Sequence, residues 1–158
     1  METKYISFEE LDEKCRKLAK LIKDSNEKYD IIVSIYRGGV PISLIIADEL
    51  GMENNEIIKV KSYEKFERKE TKILSKISEN LDNKRVLIVD DLVDSGRTLI
   101  DVVNYIKENF KVKKIDSAVI FKKSWSKVNP TYYVEETDKW IVFPWERREY
   151  EGILNKDE

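Results

Sequence analysis

Residues 86–99 run Val86-Leu87-Ile88-Val89-Asp90-Asp91-Leu92-Val93-Asp94-Ser95-Gly96-Arg97-Thr98-Leu99, and this stretch decides the fold. It begins with four apolar residues, mostly β-branched, which is typical of a strand buried on both faces of a sheet. After two carboxylates comes a short turn, where Gly96 lets the backbone approach a ligand and Ser95 and Thr98 supply hydroxyls. N–H groups at the start of a helix there would also point at an anion. A phosphorylated sugar therefore fits the stretch, with its phosphate in the turn and its hydroxyls on Asp90 and Asp91.

The chain has 158 residues, which predicts a single domain over residues 1–158 with a substantial core. Lysine and arginine number 29 against 31 aspartates and glutamates, so the net charge is −2 and no basic field favours nucleic acid. No apolar run has the length of a membrane span, and the first 20 residues are charged throughout, unlike a signal peptide. We therefore expect a cytoplasmic protein that binds neither nucleic acid nor membrane.

Cys15 is the only cysteine of the sequence, and histidine is absent. This composition excludes an intramolecular disulfide, a zinc site and any histidine-based catalytic triad. Cys15 falls on the apolar side of a helical pattern, so we expect a small core residue and not a nucleophile. A metal ion would have to be held by oxygen ligands, which favours magnesium.

Strand and helix patterns alternate along the chain. Ser7 and Glu10 form a capping box that predicts the start of the first helix. The predicted helices are Phe8–Lys23, Ile42–Leu50 and Thr98–Asn109, and the predicted strands are Ile31–Ile35, Ile57–Tyr63, Arg85–Val89, Lys114–Phe121, Tyr132–Glu135 and Ile141–Phe143. This order predicts an α/β fold with a doubly wound, mainly parallel sheet and helices on both faces. The turns after Ile35, Val89 and Phe121 then meet at one edge of the sheet, where such folds bind ligands.

The opening stretch resembles the motif that binds phosphoribosyl pyrophosphate (PRPP) in type I phosphoribosyltransferases, and Asp91 to Thr98 is especially similar to purine-salvage members. The resemblance implies that fold, with a small hood and a flexible hairpin, and a reaction that needs no covalent nucleophile. It implies that the two aspartates bind the ribose and the turn binds the 5-phosphate. The implied PRPP-binding residues are Asp90, Asp91, Asp94, Ser95, Gly96, Arg97 and Thr98.

The turn after Ile35 reads Tyr36-Arg37-Gly38-Gly39-Val40-Pro41. On its own it fits a plain structural turn as well as an anion site. The resemblance implies that Arg37, Gly38 and Gly39 form the pyrophosphate loop, with a cis peptide bond between Tyr36 and Arg37.

Residues 64–72 are all charged except Phe66 and Thr71, which is typical of a solvated loop or hairpin. The resemblance implies that a flexible loop at about residues 62–78 closes over PRPP. Ser62 and Tyr63 resemble the Ser-Tyr pair of that loop in hypoxanthine-guanine enzymes.

Asp94 is the residue on which the substrate class depends most. Family members that use adenine usually carry alanine at this position, whereas those that use 6-oxopurines carry an acid. The resemblance therefore assigns Asp94 a catalytic role, as a group that hydrogen-bonds purine N7 and accepts or relays its proton. The alternative is that Asp94 merely caps the following turn.

A segment at about residues 122–146 resembles the base-recognition region of the family. Lys123 resembles the lysine that donates to the purine 6-oxo group, although Lys122 next to it fits the alignment too. Trp140 resembles the aromatic residue that stacks on the purine, with the alternative that it is a core residue, and the Ile141 backbone would meet the 2-substituent. The implied magnesium ligands are Asp91 and, for a second ion, Glu146.

The expected function is transfer of a phosphoribosyl group from PRPP to a 6-oxopurine, by a magnesium-dependent homodimer or homotetramer. A regulator that binds PRPP or nucleotides on the same fold is the main alternative, although no basic stripe favours it. A receiver domain would carry its acid pair after the first strand. A P-loop NTPase would need a glycine-lysine phosphate motif, which the sequence lacks.

Overall fold

The structure is a computed structural model, and it describes residues 1–65 and 68–154. Over these residues the chain forms four helices and nine strands. The helices are α1 (Phe8–Asp24), α2 (Gly39–Leu50), α3 (Arg97–Asn109) and α4 (Arg147–Leu154). The strands are β1 (Thr3–Tyr5), β2 (Ile31–Tyr36), β3 (Asn55–Lys65), β4 (Arg68–Ile73), β5 (Arg85–Val89), β6 (Leu92–Val93), β7 (Lys114–Lys122), β8 (Tyr132–Glu136) and β9 (Trp140–Val142).

Strands β2 to β8 form the main sheet in the order β4-β3-β2-β5-β7-β6, with β8 also paired to β7. All neighbours are parallel except β3 and β4, which form an antiparallel hairpin. Register places Ile32 beside Leu87 and Val86 beside Ile115, so apolar strand residues stand in rows across the sheet. The predicted parallel α/β sheet is confirmed.

The core has two layers, because successive strand residues point to opposite faces of the sheet. On one face Ile32, Leu87 and Ile120 pack with residues of α1 and α2. On the other face Val86 and Ile88 pack with residues of α3. Helices therefore cover both faces, as a doubly wound fold requires.

Helix α1 shows how closely its local pattern matches its packing. The Ser7 hydroxyl accepts a hydrogen bond from the Glu10 N–H at 3.1 Å, as the capping box predicts. Leu11, Cys15, Leu18, Ala19 and Ile22 of the helix are buried in the core, whereas Phe8 and Leu21 are exposed. Burial raises the pKa of the Cys15 thiol to about 12, so this side chain is a core residue, as expected.

Three elements were not predicted. The strands β1 and β6 are only three and two residues long, too short for a periodic pattern. Helix α4 is short and mostly polar, and it packs through Tyr150. The Tyr150 hydroxyl shares a 2.8 Å hydrogen bond with the Thr3 hydroxyl, and its ring meets Tyr5 edge-on. The parallel pair β1–β9 forms a second, two-stranded sheet, and α4 packs on it through Tyr150.

Among the described residues, no helix combines the length and the apolar composition needed to cross a membrane.

Candidate active site

The loops that follow β2, β5 and β7 gather at one edge of the sheet, as parallel strands require. A cavity of about 350 Å³ lies there. Its lining comprises every residue from Asp90 to Leu99, together with Ser62 and Thr71 of the β3–β4 hairpin. The stretch that decides the fold thus also forms the wall of the main cavity at this edge.

Asp90 and Asp91 lie where β5 ends. The Asp90 carboxylate accepts a 2.9 Å hydrogen bond from the Asp91 N–H, and the Asp91 carboxylate accepts one of 2.7 Å from the Leu92 N–H. Burial, and then repulsion from Asp91, raises the pKa of Asp90 well above its usual range. Burial also raises the pKa of Asp91, while its hydrogen bonds and the nearby Arg37 oppose this rise. Two buried acids side by side favour a ligand that brings hydroxyl donors or a cation.

The turn from Ser95 to Thr98 leads directly into α3. Gly96 has φ 92°, in the left-handed region that favours glycine, and a Cβ there would lie 2.5 Å from a methyl carbon of Val128. The Ser95 hydroxyl accepts a hydrogen bond from the Arg97 N–H at 3.3 Å. The Arg97 side chain pairs with Asp101 on its own helix, so this guanidinium is directed along α3. The hydroxyl of Thr98 lies 3.3 Å from that of Thr71, which joins the hairpin to the turn.

The loop after β2 packs directly against the two aspartates. The Tyr36–Arg37 peptide bond is cis, as the resemblance implied. A Cβ built on Gly39 would lie 2.3 Å from the Val89 carbonyl oxygen, and one on Gly38 would lie 2.5 Å from Asp91 Cγ. The Arg37 guanidinium forms a 2.8 Å ion pair with Glu149 of α4. The loop and the acid pair thus share one site, and α4 reaches that site through Glu149.

The structure separates the two lysines that the sequence left as alternatives. Lys122, the last residue of β7, pairs with Glu136 at 3.3 Å, and its ammonium lies over the ring of Tyr133. Lys123 is buried, and its ammonium donates to the Lys139 carbonyl next to Trp140. Burial lowers the pKa of Lys123, and the charges of Asp94 and Asp138 oppose that shift. Lys123 is therefore the lysine that lies near Asp94.

Asp94 and Trp125 are joined by a hydrogen bond. The Trp125 indole Nε1 donates to Asp94 Oδ1 at 2.6 Å. The Lys123 ammonium lies 5.6 Å from the centre of the Trp125 ring, so the three side chains form one cluster.

Trp140 and Ile141 lie on β9, directly after Lys139, whose carbonyl accepts the hydrogen bond from Lys123. The Trp140 side chain is 46% exposed, and its ring is 6.4 Å from that of Tyr150. The Ile141 side chain is buried in the core. Backbone bonds to β1 are made by the Trp140 N–H and the Val142 carbonyl, so the Ile141 peptide groups face away from β1.

Glu146 stands beside the aspartate pair. Burial, and then repulsion from Asp91, raises the pKa of Glu146 to about 7. Its carboxylate accepts a hydrogen bond from the Phe143 N–H at 3.3 Å. Within residues 1–65 and 68–154, no three histidine, cysteine, aspartate or glutamate side chains are grouped so that they could hold a metal ion.

The predicted hairpin forms between β3 and β4. Ser62 lines the cavity, and its backbone pairs with Thr71. Tyr63 is the next residue of β3, but its side chain lies outside the described part of the molecule, as does the whole of Phe66. The role given to the Ser-Tyr pair stays a prediction.

Three residues of this site were not assigned a role from the sequence. Trp125 lies two residues after Lys123, in the run Phe121-Lys122-Lys123-Ser124-Trp125, so its closeness to the predicted base-recognition lysine was a signal for it. Thr71 reaches the turn only through the strand pairing of the hairpin. Glu149 comes near Arg37 only because α4 folds back over the site, and no sequence pattern indicates that contact.

A doubly wound sheet whose ligand-binding turns meet at one edge is the general plan of proteins that bind nucleotides and phosphorylated sugars. Within that class, the chain belongs to the phosphoribosyltransferase family, since the family model for the phosphoribosyl transferase domain matches residues 7–151. A xanthine-guanine phosphoribosyltransferase of Cereibacter sphaeroides is 32% identical over 150 residues, covering 90% of this chain and 86% of the relative.

One solved structure and one regulator extend this comparison. The purine phosphoribosyltransferase of Pyrococcus horikoshii is 35% identical and superposes with a TM-score of 0.81, covering 92% of this chain and 95% of its own. The transcriptional regulator GfcR of Methanocaldococcus jannaschii is 33% identical over 91 residues, covering 58% of this chain and 43% of the regulator. The similarity to the two transferases spans nearly the whole chain, whereas that to the regulator spans little more than half.

Proposed function

We propose that the protein is a magnesium-dependent purine-salvage enzyme that transfers the phosphoribosyl group of PRPP to a 6-oxopurine. The candidate acceptors are hypoxanthine, guanine and xanthine. One observation carries the proposal: Asp94, at the rim of the phosphate turn, and Lys123, directly after β7, both contact Trp125. A purine with N7–H and a 6-oxo group offers one donor and one acceptor on the same edge, which matches a carboxylate beside an ammonium.

PRPP would lie along the cavity with its 5-phosphate in the turn from Ser95 to Thr98. The N-terminus of α3 and the hydroxyls of the turn favour that anion. The ribose hydroxyls would donate to Asp90 and Asp91, whose buried carboxylates are the acceptors that a diol needs. Arg37 and the neighbouring glycine backbone would take the pyrophosphate.

The chemistry then needs positioning and charge stabilisation, and no enzyme nucleophile. The bond between ribose C1 and the pyrophosphate oxygen breaks, and its electron pair leaves with pyrophosphate. Purine N9 supplies the pair for the new bond to C1. The proton on N7 is lost, and Asp94 would accept it. Trp140, half exposed beside this cluster, would stack on the purine ring while the Ile141 backbone meets its 2-substituent.

The acid residues also fit magnesium. Asp91 and Glu146 repel each other, and both have raised pKa values, which a nearby cation would relieve. Magnesium commonly uses one or two protein carboxylates and completes its coordination with water and substrate phosphates. Asp91 would hold such an ion, with Glu146 at a second one, and the ion would supply charge neutralisation for the pyrophosphate.

A direct assay tests the proposal. The protein is incubated with PRPP, Mg²⁺ and one of hypoxanthine, guanine, xanthine or adenine, and the nucleotide formed is separated and quantified. We expect nucleotide from 6-oxopurines and little from adenine, whose amino group cannot accept from Lys123. PRPP binding without turnover of any base would favour a regulatory protein. The similarity to the transcriptional regulator GfcR is the observation behind this alternative. Preference for adenine would contradict the roles of Asp94 and Lys123.

The two lysines provide a matched pair of variants for the same assay. Lys123→Met removes the proposed donor to the 6-oxo group, and we expect kcat/KM for the base to fall by roughly 10- to 100-fold, as for a lost charge-assisted hydrogen bond. Lys122→Met breaks the pair with Glu136 and the contact with the Tyr133 ring, neither of which involves the proposed base site, so we expect a change below about twofold. Equal effects of the two substitutions would contradict the assignment of Lys123.

A homodimer or homotetramer is proposed as the assembly of this enzyme, since family members commonly assemble in these forms. Sedimentation equilibrium of the purified protein measures its mass directly. A monomer of 18.7 kDa at all concentrations tested would contradict this part of the proposal.

A further inference from the structure

Trp125 contacts both Asp94 and Lys123, but the proposed reaction gives the tryptophan itself no role. Its side chain is 48% exposed, yet its indole N–H donates to Asp94 at 2.6 Å. An exposed tryptophan on a surface turn has no need of a carboxylate partner, because water satisfies its single donor. A short bond to the residue proposed to take the purine proton therefore calls for a functional reason.

The turn that carries Trp125 is anchored on both sides. The Lys123 N–H donates to the Val93 carbonyl at 3.0 Å, which joins the turn to the residue before Asp94. Asp138 accepts hydrogen bonds from both the N–H and the hydroxyl of Ser124, at 3.0 and 2.9 Å. The Trp125 indole therefore donates to Asp94 from a turn whose backbone is held in place by these hydrogen bonds.

The far end of the turn is anchored too. The Ser126 hydroxyl donates to the Val128 carbonyl at 2.9 Å, and the Val128 side chain packs on Gly96 in the phosphate turn. The segment before Asp94 and the turn after it are therefore both fixed to the loop that bears Trp125.

We infer that Trp125 is a positioning residue for Asp94, an inference that rests on the proposed function. The indole N–H occupies Oδ1 and fixes the plane of the carboxylate. Held in this plane, the Asp94 carboxylate faces the purine edge at the angle needed to accept the N7 proton. Since a carboxylate must be held within a narrow range of angles to take a proton in the transition state, loss of this bond lowers the chemical rate.

Trp125→Phe tests the inference, because it keeps an aromatic ring beside Lys123 and removes the N–H. We expect kcat with the preferred 6-oxopurine to fall about tenfold, the size of one lost charge-assisted hydrogen bond, while the KM for PRPP changes less than about twofold. Tyr133→Phe is the matched control, since it removes one polar hydrogen from an exposed ring on β8, away from the cavity. We expect its kinetics to equal those of the unaltered protein.

A double-mutant cycle separates positioning from mere packing. In an Asp94→Asn background, Trp125→Phe should change kcat less than about twofold, because the group that the indole orients is already lost. Equal losses in both backgrounds, or no loss in the single variant, would overturn the inference and leave the proposed function intact. Absence of turnover by the unaltered protein would instead overturn the proposed function, and the inference with it.

Discussion

Gly39, at the start of α2, offers a quantitative test of the contact between the pyrophosphate loop and the end of β5. A Cβ at this position would lie 2.3 Å from the Val89 carbonyl oxygen and 3.1 Å from Asp90 Cα. Both neighbours are backbone atoms of a buried strand end, so neither can rotate away. Restoring ordinary contact requires the loop and the strand to separate by about 1 Å.

Gly39→Ala should therefore affect both stability and binding. Overpacking of this kind costs about 1–3 kcal/mol, and the better helix propensity of alanine offsets up to about 1 kcal/mol of it. We expect the free energy of unfolding to fall by about 1–2 kcal/mol, measured as a lower urea midpoint at an unchanged m value. A loop displaced by about 1 Å also misplaces its ligand contacts, for which a loss of about 10²-fold in kcat/KM for PRPP is expected.

Two other glycines provide comparisons for this variant. Gly152→Ala on α4 meets no atom within 4 Å, so it should leave turnover unchanged and stability equal or slightly higher. Gly38→Ala meets the Asp91 carboxylate, which can rotate, so PRPP affinity should fall with a smaller loss of stability. If Gly39→Ala binds PRPP and resists urea as well as the Gly152 variant does, the packing argument is wrong.

Other predictions concern Cys15, the Lys14–Glu135 pair and the Arg37–Glu149 pair. Because Cys15 is fully buried and burial raises its thiol pKa to about 12, a thiol reagent at pH 8 should label it only after unfolding; labelling as fast as free cysteine would contradict this. The 2.7 Å hydrogen bond from Lys14 lowers the pKa of Glu135, so the pair stabilises the fold above the unfolded-state value of about 4.3 and loses that effect as pH falls through the lower folded-state pKa. In urea titrations at a series of pH values, Lys14→Met should make the free energy of unfolding fall less steeply at acid pH, and it should cost less than about 1 kcal/mol at pH 7. An unchanged dependence on pH would refute the assignment. Glu149→Gln frees Arg37 from an exposed ion pair, so pyrophosphate affinity measured by calorimetry should rise by up to about fivefold, and a fall would show that Glu149 assists binding.

Much of the fold follows from local patterns in the sequence. The apolar runs of β2, β5 and β7 are continuous because both faces of a central parallel strand are buried. The start of α1 follows from Ser7 and Glu10, whose capping bond is local. The same reasoning places the turn from Ser95 to Thr98 correctly between strand and helix.

The parts that could not be predicted depend on contacts between distant residues. Lys122 and Lys123 are neighbours of the same type, and only the pairing of β7 with β8 shows which one pairs with Glu136. Helix α4 is short and mostly polar, and its place is set by Tyr150 packing on β1. The bond from Trp125 to Asp94 spans 31 residues, so it leaves no periodic signal.

The contact between Gly96 and Val128 has a consequence for redesign. Because the valine fills the space where any larger residue at position 96 would place its Cβ, the phosphate turn and the turn after β7 fit each other as complementary surfaces. Base preference therefore cannot be transplanted by exchanging residues 123–128 alone with those of a relative. A successful graft must carry residues 94–98 and 123–128 together, as a single exchangeable module.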